Sequence, residues 1–137
     1  MTEPLGDGPS EGIRHLIALY CQRCDDGDFD GFADLFLPHA EFVVMGRTHV
    51  GATAIRAFME GAQPPERRGK HITSNTVVHL AVEVENETAS ASVCTDYLFI
   101  DKSLHITSAG RYVDRVERDA ATGAWRFARR EIQFLGA

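Results

Sequence analysis

The run Lys70-His71-Ile72-Thr73-Ser74-Asn75-Thr76-Val77-Val78-His79-Leu80-Ala81-Val82-Glu83-Val84 is rich in valine and threonine and contains neither glycine nor proline. It reads as one long strand over residues 71 to 84. From this point the period of the apolar residues stays near two almost to the C-terminus. Glu85-Asn86-Glu87 reads as a turn, residues 88 to 100 alternate again, and Asp101-Lys102-Ser103 turns into a third strand from Leu104 to about Glu117. Asp119 to Gly123 turns into a fourth, from Ala124 to Phe134. Four such strands in succession describe an antiparallel meander. Strands this long twist and coil instead of lying flat.

The half of the chain before Lys70 follows a helical period. Ile13, Leu16, Ile17, Tyr20, Cys21 and Cys24 share one face of a helix from about Glu11 to Cys24, with Ser10 available as its cap. Asp25-Asp26-Gly27-Asp28 breaks it, and Phe29, Phe32, Ala33 and Phe36 form a second short stripe that stops before Pro38. Glu41 to Met45 reads as a strand, and Arg47 to Val50 pairs back across Gly46. Thr53 can cap a third short helix carrying Ile55, Phe58 and Met59, and residues 61 to 69 form a loop into the His71 strand. Residues 1 to 10 lack an apolar period and read as a loose arm, which leaves residues 11 to 137 as a single domain. Helices first and strands afterwards define an α+β fold, three helices packed on a strongly curved, mainly antiparallel sheet.

Composition limits the function. Apolar residues make up 44 % and charged residues 25 %, an ordinary globular mixture. The net charge of −6 and the lack of a basic cluster argue against nucleic acid as a partner. No apolar run approaches the roughly 20 residues of a bilayer span, and no signal region opens the chain, so a cytoplasmic protein without a membrane partner is expected. The three cysteines do not suggest a disulfide framework. Cys21-x-x-Cys24 lies late in the first helix on its apolar face, whereas a redox pair belongs at a helix N-terminus, so both thiols read as buried apolar groups. No phosphate loop, nucleophile elbow or metal-ligand spacing is present, and neither a metal nor another cofactor is implied.

The chemistry concentrates on His71 at the start of a strand and Asp25 at the end of a helix. A histidine held by a carboxylate can accept a proton near neutral pH. Alternation along the curved sheet adds Asp96 and Arg130 as candidates for the interior. His79 follows His71 by eight residues on one strand, about 26 Å at 3.3 Å per residue, so the two cannot share a metal.

The succession Tyr20-x4-Asp25-x2-Asp28-x3-Phe32, Phe36-x-Pro38-x-Ala40, Gly69-Lys70-His71, Arg111-Tyr112-x-Asp114 and Gly123-Ala124-Trp125-Arg126-Phe127-x2-Arg130 resembles the SnoaL-like branch of the NTF2-like, cystatin-like α+β cone superfamily. The match covers about residues 11 to 134 and includes relatives of scytalone dehydratase and bile-acid 7α-dehydratase. The resemblance implies a cone that encloses a hydrophobic cyclic or polyketide-like small molecule, and a homodimer formed through the sheet. It implies Asp25 and His71 as the catalytic pair, with Tyr20 and Asp96 beside them and Arg130 as a substrate contact. Where scytalone-dehydratase-like members carry a second histidine, this chain has Cys94-Thr95-Asp96-Tyr97-Leu98. The expected activity is a cofactor-independent elimination or isomerisation; the alternative is a non-catalytic binding protein or an oxygenase β-subunit-like partner.

Overall fold

The computed structural model describes residues 8 to 83 and 88 to 136. The first helix, α1, spans Pro9–Asp26, starting earlier and ending later than its apolar stripe suggests. Its N-cap is Gly8 rather than Ser10, with Pro9 in the first turn where its missing N–H costs nothing. At the other end Gly27 adopts φ 73°, and the N–H groups of Gly27 and Asp28 close onto the carbonyls of Cys24 and Arg23. That left-handed cap ends the helix one turn-step past Asp25 and fixes where the carboxylate points.

The second helix, α2, is only Phe29–Ala33, and a strand, β1, already begins at Phe36 and runs to Val44. The expected helical stripe therefore ends before Phe36. The reason is long-range: β1 pairs in parallel with the last strand, Phe36 opposite Phe127 and Phe42 opposite Arg130. Pro38 falls in the register shift between Phe36 and Glu41, where no ladder N–H is required. Across a tight turn with Met45 and Gly46 both at positive φ, β2 (Arg47–Val50) pairs back on β1 as expected. The third helix, α3, spans Ala52–Ala62 and is capped by Gly51, not Thr53. A single 3-10 turn, Pro65–Arg67, leads into the long strands.

Those strands are β3 (Lys70–Glu83), β4 (Thr88–Ile100), β5 (Ile106–Arg118) and β6 (Trp125–Phe134). The turn expected at residues 85 to 87 lies outside the described residues. β5 starts two residues later than its pattern suggests because the Asp101 carboxylate accepts from the Ser103 and His105 N–H groups and holds Leu104 at φ 66°. The sheet order is β2-β1-β6-β5-β4-β3, antiparallel throughout except at the β1–β6 seam. No helix among the described residues is long and apolar enough to cross a membrane.

Two irregularities decide which side chains face inward. Asn75 sits at φ 55° where the β3–β4 register shifts between Ser74 and Val77, so His71 and Thr73 point inward before the bulge and Thr76 and Val78 after it. His79 pairs with exposed Ser92 and so lies on the opposite face from His71, a second reason the two cannot meet. A further shift at the β5–β6 pairing moves the inward set from Trp125 and Phe127 to Arg130. The core between helices and sheet joins Ile13, Leu16, Ile17, Tyr20 and Cys24 of α1 to Phe32, Phe36, Phe42, Val93, Tyr112, Val116 and Phe127.

Candidate active site

The last turn of α1 delivers Asp25 against the first residues of β3. His71 donates its backbone N–H to Asp25 Oδ2 at 3.0 Å, and its ring Nδ1 lies 2.6 Å from Oδ1. One carboxylate thus holds one residue at two points, and both side chains are almost wholly buried. An ionised carboxylate only accepts, so the proton of this contact sits on Nδ1, and in the neutral ring the lone pair is that of Nε2. The ring is flanked edge-on by Phe99, with centroids 4.7 Å apart, and by Tyr20 at 6.3 Å. Two residues upstream, Gly69 passes so close to the Ile100 carbonyl that a Cβ would overlap it, which lets β3 start beside the end of β4.

His71 and Tyr20 line a cavity of about 520 Å3 together with Phe58, Met59, Tyr97, Phe99, Tyr112 and Ile132. Its lining runs from fully buried Tyr20 and Tyr112 to exposed Arg67 and Lys102, so the latter mark the mouth. Tyr97 stacks on Tyr112 with centroids 4.5 Å apart and bonds through its hydroxyl to Ser108 at 2.9 Å. Burial pushes the Tyr20 phenol well above the usual range, with the nearby Arg130 charge only partly opposing it. Burial does the same at Tyr112 and, less strongly, at Tyr97. All three phenols remain protonated at neutral pH. A slot of this size with aromatic walls and few polar groups suits a small ring-containing molecule. A second hollow of about 680 Å3 lies away from this pair, lined by the start of α1 and by Arg118, Gly123 and Trp125. Its His15 has no hydrogen bond or ion pair with an acid among the described residues, so we place the candidate chemistry in the smaller cavity.

Two expected site residues lie elsewhere. Asp96 is on the outer face of the sheet: its neighbours Thr95 and Tyr97 point inward, and its carboxylate takes Arg111 at 2.7 Å and Asn75 at 3.1 Å. Those two bonds hold the Asp96 carboxyl below its ordinary range, so it stays ionised in solvent and has no part in the cavity. Arg130 does point inward, yet it lies beneath the cavity rather than in it. Its Nε and Nη2 each reach an Asp114 oxygen at 2.8 Å, and its Cζ lies 4.2 Å from the Tyr20 ring centre, 3.8 Å from Tyr112 and 4.3 Å from Phe127. Arg130 is an electrostatic support for the two tyrosines, and the substrate-contact role expected for it is corrected accordingly.

Cys24 Sγ, an Asp25 oxygen and a His71 nitrogen lie within 4.8 Å of one another, the spacing of a metal site. The donor set does not fit one. Both Asp25 oxygens already serve His71, and the same contact occupies the ring nitrogen Nδ1. Cys21 is pushed up by burial, to about 11. The cavity walls Phe58, Tyr97, Phe99 and Tyr112 were not singled out by sequence as ligand contacts. The signal available for β4 was its alternation, in which Tyr97 and Phe99 share a face with Val93.

The geometry places a carboxylate-held histidine at the wall of a largely apolar cavity on an α+β cone. The chain belongs to the SnoaL-like domain family, whose model matches residues 10–131. Solved structures with the same fold include a variant of Rv3472 from Mycobacterium tuberculosis, of unknown function. It is 26 % identical, with a TM-score of 0.71 over 90 % of this chain and 74 % of that one. A protein of Novosphingobium aromaticivorans provisionally named a scytalone dehydratase is 22 % identical, with a TM-score of 0.71 over 92 % of this chain and 83 % of that chain. ActVI-ORFA of Streptomyces coelicolor is 16 % identical, with a TM-score of 0.74 over 93 % and 98 %. At those last two identities the likeness is one of fold. The search of curated proteins returns no match.

Proposed function

We propose that this SnoaL-like protein is a cofactor-independent lyase or isomerase acting on a hydrophobic cyclic or polyketide-like small molecule, with His71 as general base and Asp25 as its orienting partner. The observation that carries the reading is the 2.6 Å contact from Asp25 Oδ1 to His71 Nδ1 at the wall of an apolar cavity. Nε2 takes a proton from a carbon made acidic by an adjacent carbonyl. The electron pair left on carbon moves into an enolate, whose oxygen Tyr20 or the Tyr97–Ser108 pair can meet with an O–H. In an elimination the enolate collapses and expels a β-hydroxyl, which leaves as water with the proton from the imidazolium. In an isomerisation that proton returns to a different carbon. Asp25 stabilises the imidazolium in between, and the aromatic walls keep bulk water away from it.

A positioned base supplies roughly 10²–10⁴-fold in rate. Against a panel of cyclic β-hydroxyketones, His71→Ala and Asp25→Asn should each lose at least about 10²-fold in kcat while their melting curves remain cooperative. Full activity in both folded variants sinks the base. The non-catalytic alternative predicts ligand binding with no product and no solvent deuterium entering the ligand in the wild type.

A further inference from the structure

Several arginines of this acidic chain hold a carboxylate. Arg56 pairs with Asp30 and Glu60, Arg111 with Asp96, Arg126 with Asp119, Arg129 with Glu131, and Arg130 with Asp114. The cavity mouth breaks this pattern. Arg67 lines it, is exposed, and its guanidinium has no hydrogen bond or ion pair among the described residues. Lys102 lines it from the β4–β5 turn, and among the described residues its Nζ bonds only to the Pro65 carbonyl at 3.0 Å, so no carboxylate there pairs with it and two N–H groups are to spare. Neither acid of the same rim forms a salt bridge with these cations among the described residues. Asp101 is occupied by the backbone N–H groups of Ser103 and His105, and Glu66 forms no salt bridge with either cation.

The lining thus carries Arg67, Arg68 and Lys102 against Glu66 and Asp101, a small positive excess at one opening in a chain of net charge −6. The pocket below them is apolar and already holds a base. We propose that the ligand of this cavity carries an anionic head, a carboxylate or a phosphate, bound between Arg67 and Lys102 while its apolar ring body extends to His71. The inference rests on the same cavity being the ligand site and adds the charge of the molecule it takes. Arg67 supplies a planar fork for two oxygens, and Lys102, anchored to the 3-10 turn that carries Arg67, supplies a point charge beside it. Head-group contacts of this kind do not change during proton transfer, so they should act on KM and leave kcat nearly unaltered.

The test uses a neutral fluorescent ring compound, N-phenyl-1-naphthylamine, displaced by 2-naphthoate, 2-naphthyl phosphate or uncharged 2-naphthylmethanol. The cavity signal is the part removed by Ala62→Trp, which fills the lining. In the wild type the anions should displace the probe at about tenfold lower concentration than the alcohol. The ratio should fall to within about twofold in the Arg67→Ala/Lys102→Ala variant and persist in the charge-preserving Arg67→Lys/Lys102→Arg variant. The better of the two anions names the head group. Equal displacement by alcohol and anions in the wild type, or a preference that survives loss of both cations, overturns the proposal. A signal insensitive to Ala62→Trp, or no displaceable signal in the wild type, overturns the cavity as ligand site. The base reading is decided separately, by turnover in His71→Ala, which retains both cations.

Discussion

Arg130 and Asp114 form a two-bond ion pair, both contacts 2.8 Å, in which neither side chain has any solvent exposure. They meet because the register places Asp114 opposite Arg130 across β5 and β6, and three aromatic rings cover the guanidinium. The attraction roughly offsets the cost of burying both charges, but removing one partner leaves the other stranded.

Asp114→Ala should therefore cost about 3–5 kcal/mol, read as a fall in Tm of about 10 °C or more. The paired replacement Asp114→Leu/Arg130→Met should recover most of that loss. A single Asp114→Ala variant as stable as the wild type would show that the pair does not hold the core.

Gly27→Ala tests the positioning of the dyad from outside it. A side chain at φ 73° costs about 1–2 kcal/mol, and the new methyl would also meet the Arg68 guanidinium. Because the same cap sets the end of α1, turnover should fall further than the stability loss explains, through a misplaced Asp25. Thermal melts alongside kcat check this; unchanged kcat in a folded variant separates the cap from the site.

Thiol reactivity follows from burial. With Cys21 held at about 11 and Cys24 also raised, neither forms appreciable thiolate at pH 8, while half-exposed Cys94 does not share their enclosure. A chromogenic disulfide reagent at pH 8 should titrate no more than one thiol in the native protein and three in denaturant. Rapid native labelling of Cys21 or Cys24 would mean that α1 opens from the sheet.

The outer face of the sheet carries two apolar rows, Ile72-Leu98-Ala109 and Val77-Cys94-Val113, with Ile72 48 % and Val77 51 % exposed. We propose that a second copy covers them, as the family resemblance suggests. Light scattering should give a dimer for the wild type and a monomer for Ile72→Lys/Val77→Lys, with Tm concentration-dependent in the wild type and lower and concentration-independent in the variant. A monomeric wild type rejects it.

The order of elements was legible because the long segments kept one period each, 3.6 along α1 and α3 and 2 after Lys70. Asp25 and His71 were legible for a local reason: one ends a helix at a glycine, the other follows a glycine into a strand. Arg130 and Asp96 were not. The shift near Ala128 moves the inward set on β6 by one residue, and nothing in Phe127-Ala128-Arg129-Arg130 says which arginine is buried. On β4 both faces are partly apolar, Ala89, Ala91, Val93, Tyr97 and Phe99 inward, Cys94, Leu98 and Ile100 outward, so alternation does not reveal which side receives Asp96. The parallel seam between β1 and β6 escaped for a third reason: its partners are separated by most of the chain, and Pro38 masks the strand.

The kink at Asn75 gives β3 something like a reading frame. His71 and Val78 are an odd number of residues apart yet both serve the interior, which holds only while one extra residue is spent between Ser74 and Val77. Deleting that residue would leave an even step between them, so a straight strand would keep both on the inner face, whereas straightening the kink at unchanged length would turn Val78 outward with His79 inward. The extra residue and the kink are thus matched to each other, and a strand that kept the residue but lost the kink would hold His71 in place while losing the wall that α1 packs on.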